Sequence, residues 1–115
     1  MDSPLNAKTT LLQALEFADG YGLELIERVR KWTSGRIVLH QGSVYPALRS
    51  LERQGLVHSY EYGTLSDKGG RPRIYYSLTE EGKGVAQEQT QVVSALFRHG
   101  RDRPTTAFSR LGRTV

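Results

Sequence analysis

Cysteine is absent from the 115 residues, which excludes a disulfide framework, a zinc finger built on cysteine pairs and a thiol nucleophile. The same absence fits a reducing compartment. No apolar run approaches the roughly 18 residues that a membrane span needs, and Met1–Thr10 lacks the apolar core of a secretory signal. The expected setting is the cytoplasm, with no membrane partner. Apolar residues are sparse, at 37%, so a modest core must hold the fold and burial against a second copy would help it. Catalytic arrangements are missing too. There is no clustered carboxylate pair, no Ser-His-Asp order and no phosphate-cradling loop between a strand and a helix. His40, His58 and His99 have no ligand spacing. Neither an enzyme, a cofactor nor a metal site is expected.

What is present is an excess of positive charge, and it sits in one place. Sixteen Lys and Arg face twelve Asp and Glu, a net charge of +4. Residues 1–97 are balanced, whereas 98–115 hold Arg98, Arg101, Arg103, Arg110 and Arg113 against Asp102 alone. Such a tail can serve as a basic arm on a nucleic-acid backbone, or simply as a disordered, solubilising end.

Hydrophobic spacing predicts four helices and one strand pair. Leu11, Leu12, Leu15 and Ala18 lie on one face of a helix capped by Thr9 or Thr10 and stopped at Gly20. Leu25, Ile26, Val29 and Trp32 mark a second, supported by Glu24–Arg28 and Glu27–Lys31 pairs at i,i+4. Arg36–Leu39 reads as a short apolar piece or a brief strand. The third helix has Ser43 as its N-cap, Pro46 in its first turn, Val44, Ala47, Leu48 and Leu51 facing inward, and Gly55 as its stop. Leu56–Tyr62 and Ile74–Leu78 alternate as strands, joined by a polar loop holding Lys68, Arg71 and Arg73. Thr79 caps a last helix with Glu80 and Glu81 in its first turn; it runs through Val85, Ala86, Val92, Val93, Leu96 and Phe97, and its pattern ends from Arg98.

Three helices followed by a hairpin form a winged helix-turn-helix, in an α+β, mainly helical class. The outer side of the third helix then carries Ser43, Tyr45, Pro46, Arg49, Ser50 and Arg53, groups that can bond phosphates and base edges. Three of these have a plainer reading. Tyr45 can be a half-buried aromatic on the helix flank, and Arg49 and Arg53 an ordinary solvated face beside Glu52. Trp32 is expected in the core rather than as a platform for an effector. Val85, Val92, Val93 and Leu96 either pack back on the domain or form a seam with a second copy, and the seam is the expectation.

The run Gly42-Ser43-Val44-Tyr45-Pro46-Ala47-Leu48-Arg49-Ser50-Leu51-Glu52-Arg53-Gln54-Gly55-Leu56-Val57 resembles the recognition-helix signature of PadR-type transcriptional regulators. Gly70-Arg71-Pro72-Arg73-Ile74-Tyr75-Tyr76-Ser77-Leu78-Thr79-Glu80-Glu81-Gly82 resembles the same family's wing, second strand and opening of the last helix. The resemblance covers about residues 10 to 97. It implies a homodimeric repressor that binds double-stranded DNA at an inverted-repeat operator, often under a small aromatic or drug-like effector. Carried over by position, the DNA-binding set is Ser43, Tyr45, Pro46, Arg49, Arg53, Lys68, Gly70, Arg71 and Arg73, with Tyr45 facing DNA or bracing the helix. The dimer set is Val85, Gln89, Val92, Val93, Leu96 and Phe97. The implied organisation is a DNA-binding domain over 1–78, a dimerisation helix over 79–97 and a basic tail over 98–115. Two departures accompany the resemblance. The chain ends too soon for the separate carboxy-terminal helical domain of many members, so the short subgroup is expected. The only tryptophan, Trp32, lies on the second helix, so a drug site between tryptophans of the last helix is not supported. The alternative to a DNA-binding repressor is a winged-helix protein-interaction module without DNA binding.

Overall fold

The computed structural model describes residues 6–63 and 72–102, and seven elements lie within them: α1 (Ala7–Phe17), β1 (Gly20–Tyr21), α2 (Gly22–Trp32), α3 (Gln41–Arg53), β2 (Val57–Tyr62), β3 (Arg73–Leu78) and α4 (Glu80–Asp102). Each start and stop has a local cause. Asn6, not Thr9 or Thr10, caps α1: its side-chain oxygen accepts the Thr9 N–H at 2.8 Å, and Thr10 is carried into the core. Ser43 is likewise not a cap. The α3 helix begins three residues earlier, with His40 as its N-cap, because the His40 carbonyl already accepts the N–H groups of Ser43 and Val44 at 2.9 Å. Pro46 therefore lies inside the helix rather than at its entry, and the Gly42 carbonyl loses its i+4 donor on the exposed first turn. Gly55 ends α3 as expected. With φ +78° it lets its own N–H reach Glu52 O at 3.0 Å and the Leu56 N–H reach Leu51 O at 2.9 Å. Thr79 caps α4, accepting the Gly82 N–H at 3.0 Å while its hydroxyl donates to the Gly55 carbonyl at 2.6 Å, which ties the two helix ends together.

Most of the core is where the apolar spacing put it, although Ala18 falls just past the end of α1 and is exposed. Leu11, Leu12, Ala14 and Leu15 from α1, Leu25 and Val29 from α2, and Val44, Ala47, Leu48 and Leu51 from α3 are buried against Val57, Tyr76, Leu78 and Ala86. Each fully buried leucine contributes about 1.5–3 kcal/mol of transfer free energy. Trp32 is an exception: it is 56% exposed. It stands at the last position of α2, where the chain turns away, so its side chain passes the end of the core instead of entering it. There it meets Phe17 edge to face at 5.0 Å.

The i,i+4 pairs also come out differently. Glu27 takes Arg30 at i,i+3 through two hydrogen bonds (3.2 and 2.5 Å) instead of Lys31, and the Arg30 guanidinium holds the Glu27 carboxyl below its usual range. Arg28 does approach Glu24 at 4.0 Å, but its guanidinium mainly donates to the carbonyls of Ala14, Ala18 and Asp19 at 2.7–2.9 Å. It closes the open end of α1 and pins α2 to it.

Arg36–Leu39 is not a strand. The third strand is β1, and the antiparallel order is β1-β3-β2, with Gly20 opposite Tyr76, Tyr60 opposite Tyr75 and Val57 opposite Leu78. This is a winged helix-turn-helix whose hairpin is widened by one short strand. The two-residue period sends Tyr76 into the core and leaves Tyr75 outside among Tyr21, Tyr60 and Tyr62, at ring separations of 5.3, 5.8 and 5.5 Å. The α4 helix continues five residues past Phe97, crossing Gly100 at a cost of about 1 kcal/mol, and the described chain ends at Asp102.

Candidate nucleic-acid interface

With Val44, Ala47, Leu48 and Leu51 buried, the helical period turns Gln41, Ser43, Pro46, Arg49 and Arg53 outward, and all five are exposed. Their only acidic neighbour on the helix is drawn off: Glu52 accepts the Ser59 hydroxyl of β2 at 2.9 Å. Among the described residues neither Arg49 nor Arg53 is paired with a carboxylate. Two uncompensated guanidiniums one turn apart on an exposed helix face attract phosphate and can fork onto a guanine edge.

Tyr45 sits half-buried on the flank, against the start of α2. A Cβ on Gly22 would fall 2.5 Å from the Tyr45 ring and hydroxyl, so the ring can lie there only because residue 22 is glycine. The contact sets α3 against α2. Tyr45 also shares a cleft with Tyr21, Leu23 and, from β3, Arg73 and Ile74. Arg73 is exposed and its guanidinium lies 4.8 Å from the Tyr21 ring centre, which holds the cation over that ring in the cleft shared with Tyr45. The structure thus brings together Tyr45 of α3 and Arg73 of the wing. Lys68, Gly70 and Arg71 lie outside the described residues.

Two groups beside this face gave no signal in the sequence. Lys8, an exposed residue of the first turn of α1, lines a shallow cleft with Pro46 and Ser50, adding a cation beside α3. On the wing, Tyr60 donates to the Asp19 carboxylate at 2.6 Å, tying β2 to the α1–β1 turn. That hydrogen bond first, then lost hydration and the nearby negative charge, pushes the Tyr60 phenol up to about 12. Tyr76 is raised as well, chiefly by burial.

The proposed seam residues divide into two groups. Val85 is half-buried against its own core, and Gln89 is half-buried and bonded to Gln13. Val92, Val93, Leu96 and Phe97 are exposed. Among the described residues no group of His, Asp and Glu is placed to hold a metal ion, and no helix is long and apolar enough to cross a membrane.

Comparison with known proteins agrees with this architecture. The transcriptional regulator YqjI of Escherichia coli is 29% identical over 89 residues, which are 77% of this chain and 40% of that protein. The chain thus spans well under half the length of the curated relatives it matches. A PadR family transcription regulator of Clostridium difficile superposes with a TM-score of 0.68 at 32% identity, covering 80% of this chain and 91% of that one. Bacillus subtilis PadR, solved in complex with operator DNA, has the same fold, with a TM-score of 0.63 at 17% identity over 72% of this chain and 45% of that one. The model of the transcriptional regulator PadR-like family matches residues 11–88, most of the described winged helix and the first part of α4, and the chain belongs to that family.

Proposed function

We propose that this chain is a homodimeric repressor that binds double-stranded DNA, laying the Arg49/Arg53 face of α3 in the major groove of each half of an inverted-repeat operator. The observation that carries this reading is the unpaired state of Arg49 and Arg53 among the described residues, with Glu52 turned away to Ser59. In this role Tyr45 braces α3 on α2 and presents its hydroxyl at the flank. Ser43 in the first turn and Pro46 in the second approach the backbone, and Arg73 carries the wing's charge beside Tyr45. Lys68, Gly70 and Arg71, outside the described residues, belong to the same DNA-binding set in this reading. The exposed Val92, Val93, Leu96 and Phe97 meet their counterparts in a second copy, with Val85 and Gln89 at the border of that seam. That Bacillus subtilis PadR, a protein of the same fold, was solved in complex with operator DNA is in keeping with DNA as the partner, and a family of transcriptional regulators speaks against the protein-adaptor alternative.

Selection of bound sequences from random DNA tests the reading directly and should return a two-fold symmetric site with half-sites about one helical turn apart. If each protomer neutralises about four phosphates, log affinity falls with log salt at a slope near −7. Replacing Arg49 and Arg53 together by Ala should weaken operator binding at least about 100-fold, since each base or phosphate contact is worth about 1–3 kcal/mol. Binding indifferent to salt, or to that double substitution, would remove the reading.

Effector control has one observation in its favour. Phe17 and Trp32 are both exposed and share an open cleft with Leu23, Glu24, Glu27 and Lys31. Trp32 fluorescence should then change saturably with a planar aromatic compound, and a panel without effect would leave this cleft without a ligand.

A further inference from the structure

We propose that Gln13 is a positioning residue that sets the angle at which α4 leaves the DNA-binding body, and through it the spacing between operator half-sites. This rests on the dimeric DNA-binding reading above. Gln13 lies midway along α1, half-buried on the side that faces α4. Its amide nitrogen donates to the Ala86 carbonyl at 2.9 Å and to Gln89 Oε1 at 3.2 Å, and its amide oxygen is 3.0 Å from the Thr90 hydroxyl. That hydroxyl also has the Ala86 carbonyl within 3.1 Å as an alternative acceptor. A single amide with both ends engaged grips one and a half turns of α4, and it does so with directional bonds, which fix an angle as apolar contact does not.

The location gives the grip its leverage. Ala86 is wholly buried, whereas Val92, Val93, Leu96 and Phe97 beyond the grip are exposed, so Gln13 clasps α4 where it parts from its own domain. From Thr90 to Asp102 the helix runs on for about 18 Å. A swing of about 10° at the clasp displaces that far end by about 3 Å, close to the rise of one base pair. Two-fold symmetry applies the same swing to both protomers. The core leucines of α1 cement the body; Gln13 has no apolar role there that a leucine could not fill, so its amide is explained by the angle it sets.

The test uses the full chain and the inverted repeat recovered by selection, rebuilt with spacers one and two base pairs longer and shorter. Sedimentation and thermal melting run alongside. The native protein should discriminate against a one-base-pair change about tenfold, the penalty of twisting and bending DNA to fit a fixed dimer. Gln13→Leu and Thr90→Val should remain folded and dimeric and keep their contact with a single half-site, yet lose most of that discrimination, to about threefold or less. Gln13→Glu, which keeps an acceptor for Thr90 but cannot donate to Ala86, should fall between. Thr90 is exposed, so its variant reads the same clasp should Gln13→Leu fail to fold. A native spacer profile retained by the folded variants overturns the proposal alone. A native chain that is monomeric, or that selects no inverted repeat, overturns it together with the function on which it rests.

Discussion

The two halves of α4 are written in the same apolar pattern and reach opposite situations. Over Glu80–Thr90, Ala86 is fully buried, Val85 packs on the core, and Gln89 and Thr90 are held by Gln13. Over the following turns Val92, Val93, Leu96 and Phe97 stand 61, 42, 72 and 66% exposed. Helical periodicity says which face of a helix seeks burial, but not what buries it. The difference arises because the body is already complete: α1, α2, α3 and the sheet enclose the core, and only the first turns of α4 are needed to close it.

Substitutions can test that division. The largest effect should come from Ala86→Asp, which places an unpaired charge among buried apolar side chains at a cost of about 3–5 kcal/mol. For a domain of this size that lowers the melting temperature by about 15–30 °C, seen by circular dichroism. Leu96→Asp makes the same chemical change ten residues later and should leave the melting of the body nearly intact. Its cost should appear in sedimentation, as monomers, and in operator binding, as a loss of about 100-fold once two half-sites no longer bind as one unit. Were Leu96→Asp to unfold the protein as Ala86→Asp does, the far half of α4 would be packed on its own domain and the comparison would fail.

How much of this was legible depends on how far apart the cooperating residues lie. The stripe Val44, Ala47, Leu48, Leu51 and the caps at Gly55 and Thr79 are local, and so is the outward face with Arg49 and Arg53 that follows from the stripe. The β1 strand was illegible: two residues have no period, and their pairing with Tyr75 and Tyr76 is made by backbone groups distant in sequence. Arg28 looked like one half of a surface ion pair because its acceptors are main-chain carbonyls, which leave no mark in a sequence. Trp32 continued the α2 stripe by count and missed the core because the helix ends under it. At the site, the fit of Tyr45 to Gly22 required knowing that α2 begins where α3 crosses it.

The smallest effect concerns a tie inside the body, and it distinguishes body from arm by pH. Tyr60 is bonded to Asp19 and its phenol is held near 12, against 10.0 for a free tyrosine. Below pH 10 the phenol is protonated whether the chain is folded or not, and the bond contributes fully. Between about 10 and 12 the unfolded chain releases that proton while the folded one keeps it, so raising the pH favours unfolding and the contribution is gone above the folded value. In a tyrosinate absorbance titration of the six tyrosines, Tyr60 should lag, with Tyr76 also late because it is buried. Asp19→Asn should restore Tyr60 toward the ordinary range and leave Tyr76 where it is. Urea melts should show native stability falling more steeply than that of Tyr60→Phe over the same pH interval. No described residue beyond Thr90 on α4 has a comparable internal tie, so Leu96→Asp should reproduce the native titration of Tyr60. A shift of Tyr60 in Leu96→Asp would mean that the far half of α4 reaches the wing, and body and arm would no longer be separable.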